Sequence, residues 1–132
     1  MILYHFTAAK LVNRIKREGI TLGGVLDIVN EKLVLRRGLL WLTVNSDFHN
    51  QEWNSMRTIP YDRCEFRITV NVPADSECHI INWLEYCASG NISNEMADGL
   101  NAIGDPENWR LYRGIIWPKW FTAIDRKLIV AQ

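Results

Sequence analysis

Cys64-Glu65-Phe66-Arg67-Ile68-Thr69-Val70-Asn71-Val72 alternates apolar and polar side chains at every step, and Pro73 follows it. A period of two marks a half-buried β-strand, because successive Cβ atoms point to opposite faces of a sheet. Cys64, Phe66, Ile68, Val70 and Val72 are therefore expected on the core face, with Glu65 and Arg67 together on the polar one. Pro73 ends the strand, since it brings no N–H to a ladder.

Upstream, Leu39-Leu40-Trp41-Leu42-Thr43-Val44 is short and almost wholly apolar, as expected of a strand covered on both faces, and Asn45 to Asn50 reads as loop or cap. Val25 to Leu35 carries apolar residues at Val25, Leu26, Ile28, Val29, Leu33 and Val34, which suits neither a clean helix nor strict alternation. Met1 to Phe6 reads as a first strand. Thr7 then caps a helix with apolar positions Leu11, Val12 and Ile15, which Gly19 stops with Lys16 and Arg17 near the negative end of its dipole.

Downstream, Ile80 to Cys87 and Ser93 to Ile103 read as helices, the second capped by Ser93, and Gly104-Asp105-Pro106 breaks the chain. Asn108 to Ile116 and Lys119 to Asp125 read as strands joined around Trp117-Pro118. Strand, helix, strands, helices, strands is the order of an α+β domain rather than a doubly wound parallel sheet, and no linker or repeat divides residues 1–132.

Composition removes several classes. With 48% hydrophobic and 23% charged residues, the chain fits neither disorder nor a collagen-like repeat. Fifteen basic residues balance fifteen acidic ones, so no global field draws it to nucleic acid or an anionic membrane, although a local basic patch stays open. The apolar stretches fall short of the roughly 20 residues a membrane helix needs, and Met1 leads straight into strand-like sequence, so neither a membrane span nor an export signal is expected. Cys64, Cys78 and Cys87 are odd in number and form no C-x-x-C, the pattern of reduced thiols in a cytoplasmic protein. No Walker A loop, G-x-G-x-x-G, G-x-S-x-G or H-E-x-x-H occurs, and His5, His49 and His79 are too scattered from one another to read as metal ligands.

The remaining signal is a constellation: Tyr4-His5-Phe6-Thr7 at the end of strand one, Arg17-Glu18-Gly19-Ile20 after a helix, and Trp41-Leu42-Thr43 in a later strand. It resembles the start of the ADP-ribosyltransferase fold, and most of all small bacterial and phage proteins that begin "YHFT" and later read "WLT". The family's first strand carries an H-x-T-like motif, which His5 and Thr7 match, and Trp41-Leu42-Thr43 sits where it often has Tyr-Phe-Ala. Phe6 replaces a frequent Gly, and Trp41 replaces the usual Tyr. The resemblance implies a split, bent pair of small sheets around an NAD-sized cleft. It also implies cleavage of NAD at the nicotinamide–ribose bond, with ADP-ribose passed to a protein, a nucleic acid or water, and no metal.

Under that resemblance His5 and Glu107 are the candidate catalytic residues, and Tyr4, Thr7, Trp41, Thr43, Arg67, Tyr112 and Arg113 the candidate NAD-binding ones. A histidine and a hydroxyl at a strand end can hold ribose, an indole can stack on nicotinamide, and an arginine fork can grip pyrophosphate. Glu107, before a late aromatic strand, would face the positive charge that develops as nicotinamide leaves, with Glu65 the next carboxylate in line. Each has a structural alternative: His5 and Trp41 as core, Arg67 as half of a cross-strand ion pair, Glu107 as a solvated turn residue. The rival class is a non-enzymatic nucleotide-binding or inhibitor protein, of the kind a phage uses against a host defence factor, and the fold also hosts RNA 2′-phosphotransferases.

Overall fold

The computed structural model describes residues 1–51 and 61–128. Its elements are β1 (Ile2–Thr7), α1 (Ala9–Glu18), β2 (Gly24–Val29), β3 (Lys32–Arg37), β4 (Leu39–Thr43), β5 (Phe66–Asn71), β6 (Ile80–Asn82), α2 (Trp83–Ala88), α3 (Asn94–Asn101), β7 (Trp109–Arg113) and β8 (Phe121–Arg126). Six strands form one sheet in the order β6-β7-β4-β1-β5-β8, with every neighbouring pair antiparallel. β2 and β3 form a separate hairpin. The α+β class read from the sequence is the class observed.

Alternation along the central strands builds two apolar layers. Leu40, Leu42 and Tyr112 face one side, with Leu3, Ile68, Val70 and Ile15 of α1. Leu39, Trp109 and Leu111 face the other, where Trp83 and Tyr86 of α2, Ala97 of α3 and Val25 of β2 close over them. β4 is covered on both faces, which is why its sequence shows no polar alternation.

Tertiary pairing moves several expected boundaries. β1 runs six residues in register with β5, from Ile2 opposite Asn71 to Thr7 opposite Phe66. That ladder keeps Thr7 in the strand, and the helix starts behind Ala8 with no side-chain cap. Ile80, Ile81 and Asn82 pair with Tyr112, Leu111 and Arg110, so the expected helix loses its first turn to β6, and Asn82 caps what remains by accepting the Glu85 N–H. The ambiguous Val25–Leu35 stretch is a hairpin whose two turn residues, Asn30 and Glu31, both have positive φ, the backbone that matches the right-handed strand twist. Ser93 caps α3 as expected. Phe66 is half-buried rather than core: it opens β5 opposite Arg126, whose guanidinium lies 5.7 Å over its ring.

The sheet parts at its centre. β1 and β4 share one registered pair, Tyr4 opposite Thr43, whereas β1 shares six with β5 and β4 shares five with β7. Instead of two small sheets, the structure has one continuous antiparallel sheet that splays between β1 and β4, with the hairpin set apart. Among the described residues no helix is long and apolar enough to cross a membrane.

Candidate functional site

The splay between β1 and β4 opens a cleft of about 520 Å³. Tyr4, His5 and Phe6 line one wall, Trp41, Leu42 and Thr43 the other, and Trp109 stands beside them. Leu22, Gly23, Gly24 and Leu26 of the hairpin side, Leu100 and Ile103 of the α3 side, and Gln51 and Arg63 complete the lining.

Where the ladder fails, a side chain takes its place. The Trp41 carbonyl faces the gap, and His5 Nδ1 lies 3.0 Å from it. A carbonyl only accepts, so Nδ1 carries the proton and Nε2 keeps its lone pair. Desolvation of the half-buried ring lowers the His5 pKa against the smaller opposing pull of that bond, which keeps the imidazole neutral at pH 7. Nε2 makes no hydrogen bond among the described residues. The result is a fixed, uncharged acceptor on the cleft wall.

Trp41 packs as a core residue and also lines the cleft. Its ring packs on Trp83 at 4.8 Å and edge-on to Trp109 at 5.7 Å, and its Nε1–H donates to the Gly24 carbonyl at 3.0 Å. It is thus a rigid aromatic wall that joins the hairpin to the sheet. Thr43 is nearly buried, and its hydroxyl accepts the Asn45 N–H at 3.0 Å.

The cleft gathers four of the nine candidate residues: Tyr4, His5, Trp41 and Thr43. Thr7 is buried in the β1–β5 ladder and does not line it. Arg67 sits opposite Asp125 and pairs with it at 3.1 Å, while its other terminal nitrogen donates to the Ser46 carbonyl at 2.8 Å. That is the cross-strand alternative; Arg67 is not among the described residues that line the cleft, although its guanidinium lies 5.8 Å from the Tyr4 ring. Tyr112 is in the apolar core against His79 and Trp120, and Arg113 lines a second cavity with Arg36 and Arg37.

Glu107 is exposed, in a 3-10 turn (Pro106–Asn108) outside the cleft. Glu65 stands 3.6 Å from Arg126, and Asp105 accepts from Asn45 and Asn108. None of these carboxylates lines the cleft, whose ionisable residues among those described are Tyr4, His5 and Arg63. No group of His, Cys, Asp and Glu among the described residues could hold a metal ion.

Sequence reasoning missed Trp109, the hairpin's share of the wall and Asp27. Asp27 is almost fully buried in β2: Oδ1 accepts from the backbone N–H groups of Ile28 (2.7 Å) and Ser93 (2.9 Å), and Oδ2 meets Arg36 at 3.1 Å. The Ser93 N–H is the largest cause that holds its carboxyl at about 2; burial opposes, and the Ser93 hydroxyl, the Ile28 N–H and Arg36 add to the lowering. A polar residue within the irregular Val25–Leu35 stretch was the one available signal.

Comparison with protein-family models, curated proteins and solved structures gives no match to any of them.

Proposed function

We propose that the cleft between β1 and β4 binds a nucleotide of the NAD class. The observation that carries this reading is the His5 Nδ1 to Trp41 carbonyl contact, which leaves Nε2 as a neutral acceptor beside an indole wall. A ribose hydroxyl can donate to Nε2, and a planar ring can lie against Trp41 and Trp109. A volume of about 520 Å³ falls within the range of small-molecule sites.

Cleavage of NAD makes a further demand. As nicotinamide departs with the bonding electron pair, positive charge grows on the ribose, and an anion beside it lowers that barrier. The lining described above is neutral or cationic, which favours binding without turnover, the non-enzymatic alternative. Transfer of ADP-ribose to a protein or nucleic-acid acceptor, or to water, is the stronger form of the same proposal.

Calorimetric titration with NAD and with ADP-ribose, alongside an assay for released nicotinamide, tests both forms. Saturable binding that weakens about tenfold in His5→Phe, which keeps a ring but loses both nitrogens, is the expected result. Nicotinamide release by the parent would add the transferase or glycohydrolase activity. Neither ligand binding at millimolar concentration would end the nucleotide reading.

A further inference from the structure

A second cavity, about 390 Å³ and separate from the cleft, runs along the outer edge of β3. The two share no lining residue among those described. Arg36 and Arg37 line it from the end of β3, and Arg113 from the end of β7, held there because its backbone pairs with Leu39 just past the Gly38 turn. A chain with no net charge therefore has three arginines lining one concavity.

Among the described residues only one carboxylate answers them through a direct contact, and it is already committed. Asp27 holds Arg36 from below while two backbone N–H groups fix its other oxygen, so Arg36 is braced rather than loose. Arg37 and Arg113 are exposed and form no ion pair or hydrogen bond among the described residues. The cavity keeps an excess of two positive charges after the Asp27 pair is discounted.

Tyr86 adds a neutral group to the cavity wall. Tyr86 lines the cavity at only 5% exposure, stacked on Trp83 at 5.7 Å, and its phenol makes no hydrogen bond among the described residues. Burial raises its pKa, Arg36 and Arg113 pull the other way, and Asp27 adds to the rise. Tyr86 thus stays protonated, and its hydroxyl, which is not sealed from solvent, can donate to a group that enters the cavity.

We propose that Arg36, Arg37, Arg113 and Tyr86 form a binding site for the phosphate of a small organic phosphate. Guanidinium forks match phosphate oxygens two at a time, and the phenol supplies a neutral donor at the back of the site. The cavity exceeds one phosphate in size, and Leu39 and Val34 in its wall suit an organic group attached to the phosphorus. The site stands on its own residues, independent of the nucleotide reading of the cleft.

Calorimetric titration of the full chain with pyrophosphate and with phenyl phosphate, at about 50 mM salt and with sulfate as control, tests it. Both phosphates should bind more tightly than sulfate. Arg37→Ala and Arg113→Ala should each weaken pyrophosphate about tenfold, and Tyr86→Phe, which keeps the stacked ring, about threefold. Unchanged melting in these variants would show that the loss is local, since none removes a side-chain hydrogen bond among the described residues. Affinity equal to the parent in all three, sulfate binding as tightly as pyrophosphate, or a short single-stranded RNA binding where both phosphates fail would each overturn the proposal.

Discussion

Replacing Asp27 with asparagine tests the contact that ties the hairpin to α3. The buried carboxylate accepts N–H bonds from Ile28 and Ser93 and pairs with Arg36, and its pKa is held at about 2 against an ordinary value of 3.8. At roughly 1.4 kcal/mol per pH unit that difference amounts to about 2.5 kcal/mol of folding stability. Arg36 is 42% exposed, so water screens its share, and about 2 kcal/mol is the better figure for the group as a whole. Because the folded pKa lies below the unfolded one, this stability is present in full above about pH 4 and drains away as the pH falls toward 2. Urea denaturation of Asp27→Asn and parent, from pH 7 down to pH 2, should show the variant about 2 kcal/mol weaker at neutral pH and the gap closing in acid. A gap that does not change with pH, or one under about 0.5 kcal/mol at pH 7, would refute the reasoning.

Two further outcomes follow from single residues. The His5 imidazole should titrate below 6.5 and carry its proton on Nδ1 when neutral, as read by ¹⁵N–¹H correlation across a pH series; a pKa at or above 6.5, or the Nε2–H tautomer, would break the account of the cleft wall. Gly19→Ala should destabilise the fold by more than about 3 kcal/mol in urea, because Gly19 has φ of 84° and an added Cβ would stand 2.3 Å from the Ile116 carbonyl oxygen; a loss under about 1 kcal/mol would mean that the α1 exit can shift.

Local chemistry was legible in the sequence. The alternation from Cys64 to Val72 marks β5, Gly19 ends α1, Ser93 caps α3, and the unbroken apolar run at Leu39 announces a strand covered on both faces. Each of these signals lies within a few residues of the structure it determines, so periodicity, a cap or a turn residue is enough to reveal it. The strand–helix alternation likewise sufficed for the α+β class.

What only the tertiary structure decided depends on partners far along the chain. Thr7 stays in β1 because Phe66 lies opposite, and Ile80 to Asn82 leave a helical pattern because β7 offers them a ladder. His5 meets the Trp41 carbonyl across a sheet that parts after a single pair, and Arg113 comes to line one cavity with Arg36 and Arg37 because Leu39 pairs with it. Arg67 read as a cleft residue in one dimension, and a neighbouring strand's Asp125 claimed it. Such meetings are set by sheet order and register, which arise from burying two apolar layers at once, and no window along the chain contains both sides of them.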